Sequence, residues 1–161
     1  MSELAEHGVS HIELRMIDLN PLFEAGIALE DLKFLLLFLT WLEWKPALHA
    51  DAEMQELFVR NMIAASHMPL EEETITDLDG QSVPLLQAAE RVLDDMESYL
   101  GEHPAIICQR EKLKYPQKRY AVNLQKGFGE DFVKKGLIYV TERTKNEMLL
   151  AELESCDGMY I

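Results

Sequence analysis

Residues 29–44 read LEDLKFLLLFLTWLEW, and this run decides what kind of molecule the chain builds. Its centre, residues 34–39, is wholly apolar, and Trp41 and Leu42 extend it. A membrane-spanning helix needs about 20 such residues. Here Glu30, Asp31, Lys33 and Glu43 stand too close on either side. The run therefore reads as a helix inside a folded domain, apolar almost all round and buried on most sides. Its apolar surface exceeds one ordinary stripe, so part of it is expected to need a cover, such as a second copy of the chain.

Working downstream, residues 51–66 read as a second helix, with Met54, Leu57, Phe58, Met62 and Ala65 at spacings of three and four. TITDLDGQSV follows, a small hairpin whose Asp79-Gly80 pair suits a positive-φ turn. Ser82 is placed as the cap of a third helix over 83–100. Leu85, Ala89, Val92, Leu93, Met96 and Leu100 would form its buried face, and Gly101 its end. Further helical pieces are expected at 104–114, stopped before Pro116, and at 117–127, 129–135 and 143–155. The fold class is mainly α with a minor β component (α+β), in one domain over 1–161.

Upstream lies GVSHIELRMIDLNP, residues 8–21. Over 10–17 the pattern alternates, with Ile12, Leu14 and Met16 on one side and His11, Glu13, Arg15 and Ile17 on the other. Asp18, Asn20 and Pro21 end this expected strand. A lone strand leaves its backbone unsatisfied, and even two strands are marginal in water. Its partner must be the hairpin, a second chain, or sequence beyond this one. Within the strand Glu13 and Arg15 share a face, roughly 6.5–7 Å apart. That is long for a tight ion pair and suited to gripping two ends of one charged ligand. A glutamate offers an oxygen to a hard cation such as Mg²⁺, and an arginine offers a planar fork to phosphate. The spacing alone leaves open a plainer alternative, in which both side chains lie on a solvated sheet face and steady their cross-strand neighbours.

Composition narrows the function classes. Of 161 residues 48% are apolar and 27% charged, which is globular and not disordered. The net charge of −14 repels phosphate backbones and anionic lipid surfaces, so neither nucleic acid nor membrane is an expected partner. Cys108 and Cys156 form no C-x-x-C pair, which fits free thiols in a reducing cytoplasm. His7 and His11 are four apart, but Gly8 and the strand-like sequence after it make a shared helical metal face a weak reading. Glu71, Glu72, Glu73, Asp77 and Asp79 lack calcium-loop spacing and read as a solvated hairpin. Arg110, Lys112, Lys114, Lys118 and Arg119 could attract an anion, but in so acidic a chain they read better as an exposed face paired with carboxylates. Lys126-Gly127-Phe128-Gly129 lacks the continuation of a phosphate-binding loop.

The longer pattern Glu13-x-Arg15-x-x-Asp18-x-Asn20-Pro21, followed by GIALEDLKFLLLFLTW, resembles the late portion of bacterial-type glutamate–cysteine ligases (γ-glutamylcysteine synthetases). It is most similar to the ligase part of bifunctional glutathione-synthesising enzymes. The likeness is specific over about the first 45 residues and thinner beyond, where YPQKRYAVNLQ is one of the shorter similarities. It implies the helical C-terminal part of a glutamine-synthetase-like ligase fold, with one N-terminal strand and a small hairpin. It implies an ATP-dependent reaction with Mg²⁺ (or Mn²⁺), in which the γ-carboxylate of glutamate is phosphorylated and the cysteine amine then displaces phosphate. Glu13 would be a metal ligand. Arg15 would contact the nucleotide phosphates and act catalytically by stabilising charge as it moves to the acyl phosphate. Asp18, Asn20 and Pro21 would shape the turn. Family enzymes build their site on a curved antiparallel sheet with more carboxylates and basic groups earlier in the chain. The expectation is thus a C-terminal fragment, inactive alone, whose partner is the missing N-terminal part or a second copy. The alternative is a non-catalytic helical interaction or regulatory module.

Overall fold

The computed structural model describes residues 13–14, 17, 19–67 and 69–157, with side chains described as far as Asn146. The apolar run forms helix α1, Leu29–Glu43. Glu30 and Asp31 occupy its first turn, where unpaired N–H groups favour negative charge. The helix stops as the chain nears Pro46, because a residue before proline avoids helical geometry. Helix α2, Ala52–Ala65, begins where Asp51 accepts a hydrogen bond from the Met54 N–H at 2.9 Å.

Strands β1 (Thr74–Thr76) and β2 (Ser82–Pro84) pair antiparallel, with Ile75 opposite Val83. The turn works as its sequence suggests. Asp77 Oδ1 accepts from the N–H groups of Asp79 at 3.0 Å and Gln81 at 2.8 Å, and Gly80 takes φ +77°. Ser82 is not a helix cap: it pairs with Thr76, and the chain runs from Pro84 straight into α3, Leu85–Leu100. Gly101, at φ +77°, ends that helix as expected. Helix α4, Pro104–Lys114, starts with the His103 ring accepting from the Ala105 N–H. A 3-10 turn at Pro116–Lys118 leads to α5, Tyr120–Phe128.

After a second 3-10 turn at Gly129–Asp131, α6 runs unbroken over Phe132–Asp157. Two separate pieces were expected there. Residues 136–142 hold no proline, and the single Gly136 weakens a helix by only about 1 kcal/mol, so nothing stops it.

The core lies where α1, α3 and α4 meet. Trp41, Leu93, Met96 and Ile106 are buried there, with Phe34, Phe38, Val92, Leu100 and Leu113 packed around them. Burial of α1 is more one-sided than its composition suggests. Trp41 is its one buried residue, whereas Leu29, Leu32 and Leu36 are exposed, Leu36 to 68%. Helix α2 likewise buries less than expected. Met54, Leu57, Asn61 and Ala64 form its half-buried row, while Phe58, Met62 and Ala65 face solvent. Its main neighbour is the short strand β1, which covers only one row. Asn61 belongs to that row for a reason. Its Nδ2 donates to the Thr76 carbonyl at 2.7 Å and its Oδ1 accepts from the Thr76 N–H at 2.9 Å, so one side chain stands in for a third strand.

Of the strand expected over 10–17, only Glu13, Leu14 and Ile17 are among the described residues, and none of the three is in a strand. The rest of it lies outside the described residues. The outcome is a mainly helical chain with a small two-stranded antiparallel sheet.

Candidate functional site

Glu13 is exposed. Arg15, its expected partner on the phosphate side, lies outside the described residues, as do Asp18, His7 and His11. Asn20 and Pro21 do shape a turn. Asn20 Oδ1 accepts from the Leu22 N–H at 3.0 Å, and the Asn20 N–H donates to the Gly26 carbonyl at 2.7 Å. Gly26 adopts φ +74°, and a Cβ there would fall 2.7 Å from Leu19 Cδ2. The loop after the Glu13 segment is therefore closed on itself and needs glycine at that point.

Among the described residues, no three histidine, cysteine, aspartate or glutamate side chains are grouped so as to hold a metal ion. Glu13 can supply one oxygen, but these residues alone do not make a Mg²⁺ site, which wants near-octahedral ligation. No helix among the described residues is long and apolar enough to cross a membrane.

The structure assembles a polar cluster that sequence spacing did not reveal. Asp31 of α1 accepts from Gln109 Nε2 at 2.7 Å and from Lys112 Nζ at 2.5 Å, both on α4. Lys112 Nζ also donates to the Tyr120 hydroxyl at 2.9 Å. Burial works against the charge on Asp31, yet the hydrogen bonds from Lys112, Tyr120 and Gln109 outweigh it and hold the carboxyl below its usual range. Burial likewise opposes the Lys112 ammonium, and Asp31 and Tyr120 outweigh it, raising that pKa. The Tyr120 hydroxyl is raised chiefly by burial. These groups line a cleft of about 380 Å³ together with Ile17, Asn20, Gly26 and Phe34. A second cleft of about 340 Å³ lies behind Phe34 and Lys112, with nearly all-apolar walls from Leu70, Val92, Leu93 and Leu113. Asp31 and Lys112 are 81 positions apart, so no local pattern could have paired them.

The basic run at 110–119 is paired with carboxylates, as expected. Arg110 of α4 reaches Glu90, Asp94 and Glu97 along one face of α3. Lys118 meets Glu111 at 2.6 Å. The run is less exposed than expected, because Arg119 is buried. Its guanidinium grips both Glu71 oxygens, at 2.7 and 3.1 Å, and donates to the carbonyls of Lys112 and Leu113. Glu71 thus belongs to a pair and not to a wholly solvated acidic patch, and Arg119 holds its carboxyl below the usual range. Cys108 is a half-buried free thiol.

Comparison with known proteins agrees with the resemblance. A family model described as glutamate-cysteine ligase matches residues 1–64. The glutathione biosynthesis bifunctional protein GshAB of Listeria monocytogenes EGD-e is 32% identical over 137 aligned positions, 78% of this chain and 17% of its own length. Those of Listeria innocua and Listeria welshimeri are each 31% identical across the whole chain and 22% of their own length. The chain therefore spans about a fifth of the length of these relatives. No solved structure matches it. Residues 1–64 thus match the glutamate–cysteine ligase family, and the chain as a whole is distantly similar to the bifunctional GshAB proteins.

Proposed function

We propose that this chain supplies one wall of the metal–nucleotide site of an ATP-dependent glutamate–cysteine ligase, in the first step of glutathione synthesis. Glu13 is the carboxylate offered to Mg²⁺ or Mn²⁺, and Arg15 the guanidinium offered to phosphate. The observation that carries this reading is the family match over residues 1–64, a segment that contains both groups. The described residues complete no metal site around Glu13, so on this reading the site is shared with ligands beyond them. Turnover of glutamate, cysteine and ATP by the 161 residues alone is therefore expected to be undetectable, and measurable amide formation would overturn the incompleteness. A chimera tests the site itself. Residues 1–64 replace the matching segment of the Listeria innocua relative, and Glu13→Gln and Arg15→Met are then made in the active chimera. Each is expected to lower kcat about a hundredfold, the scale of losing one charge-stabilising contact. Full activity in both variants would end this assignment.

A second reading has its own observation. Leu29, Leu32 and Leu36 form an exposed apolar row on α1, on the side away from the core. On that reading the chain is a self-associating interaction module that pairs through this row. Light scattering over a dilution series separates the two readings. A persistent dimer abolished by Leu36→Glu supports the module, and a monomer at micromolar concentration removes it.

A further inference from the structure

The family match ends at residue 64, yet two helices beyond it reach one loop inside the matched segment, and a third reaches the first turn of α1 just after that loop. That loop, residues 19–27, joins the Glu13 segment to α1 and is closed by the Asn20–Gly26 hydrogen bond and by Gly26 N–H donating to the Phe23 carbonyl at 3.0 Å. Tyr120, the first residue of α5, sets its ring edge-on to Phe23 with centroids 5.2 Å apart. Lys112 of α4 lies over the same tyrosine ring at 4.2 Å and bonds Asp31 at the foot of the loop. Arg143 of α6 stands 3.6 Å from Glu24 at its outer side. An aromatic edge and an outer ion pair thus hold the short loop itself, and a half-buried ion pair ties down the helical turn that follows it.

We propose that Lys112 and Tyr120 are positioning residues, which hold the 19–27 loop on the helical body and so fix the direction from which the Glu13 segment is presented. The clamp is read from contacts alone; its purpose rests on the ligase reading above. It gives the helices beyond residue 64 a role the family match does not assign: they anchor the segment that carries the charged pair.

Amide hydrogen exchange of the full chain, read by mass spectrometry, tests this. In Lys112→Met and Tyr120→Ala, peptides covering 19–27 are expected to exchange about tenfold faster, while peptides from α3 keep their protection. Lys112→Arg, which keeps a cationic donor facing Asp31, is expected to retain most of the loop's protection. Tyr120→Phe keeps the ring against Phe23 and guards against a variant that fails to fold; an intermediate effect is expected. Unchanged exchange in the loop would overturn the clamp, as would equal acceleration of every peptide, which would mark a general stability role. Unaltered activity of the Glu13 and Arg15 chimera variants would remove the ligase reading while leaving the exchange result standing, so the two failures are distinguishable.

Discussion

At Arg119 one guanidinium serves two ends of the structure. It covers the last carbonyls of α4, which have no partner within the helix, and it draws the 70s loop inward through Glu71. Arg119→Met keeps most of the stem's packing and leaves those carbonyls bare. Urea unfolding should show a loss of roughly 2–3 kcal/mol, the range for a hydrogen bond to a charged group left unmade. Glu71→Gln should lose less, because Glu71 is open to water. The Asp31–Lys112 pair yields a pH prediction. The folded pKa of Asp31 lies below its unfolded value, so its contribution is full above the carboxylate range and fades as pH falls through the depressed value. Lys112 is shifted upward, so its contribution is full below the lysine range and fades only as pH rises past it. The stability difference between wild type and Asp31→Asn should stay flat from about pH 5 to 9 and shrink below about pH 4. Unfolding measured across that series checks it.

At the scale of elements, the hairpin depends on a neighbour outside the sheet. Asn61→Ala removes both hydrogen bonds to Thr76, and thermal unfolding should report a loss of about 1–2 kcal/mol. The Thr76 amide should exchange faster than the Leu93 amide in the same variant. Sequence pattern located the first four helices closely, because each carries a local boundary signal: Pro46 beyond α1, the Asp51 cap at the start of α2, Gly101 after α3 and Pro116 after α4. The turn at Asp77–Gly80 was equally legible, since side chain and glycine act within a few residues. Asn61 was not. An asparagine in an apolar row looks like an interruption until the strand it serves has been folded against it. Ser82 misled for a related reason: a serine before a helical pattern suits a cap, but strand pairing claimed its backbone first. Of the candidate site, the Glu13–Arg15 pair came from local spacing and family pattern. The Asp31–Lys112–Tyr120 cluster depends on three helices meeting and left no local trace.

Taken whole, the molecule rests on a narrow centre. Met96 and Ile106 are fully buried, and few other large side chains come close. Met96→Ala should remove about 2–5 kcal/mol, a large share of the roughly 5–15 kcal/mol that domains usually have. Calorimetry is expected to show a strongly lowered Tm or no cooperative transition. Leu29, Leu32 and Leu36 of α1 and apolar side chains of α6, Val133 and Leu137 among them, stay exposed, so among the described residues more large apolar side chains meet solvent than fill the centre. Such a surface invites unwanted association, and open ribbons are a familiar route to it. Here that route is obstructed on both flanks. Asn61 occupies the outward N–H and C=O of Thr76, and Pro84 has no N–H to lend from the other strand. When these chains do stick to one another, they should do so helix against helix, and fibrillar cross-β growth should not be seeded from this hairpin.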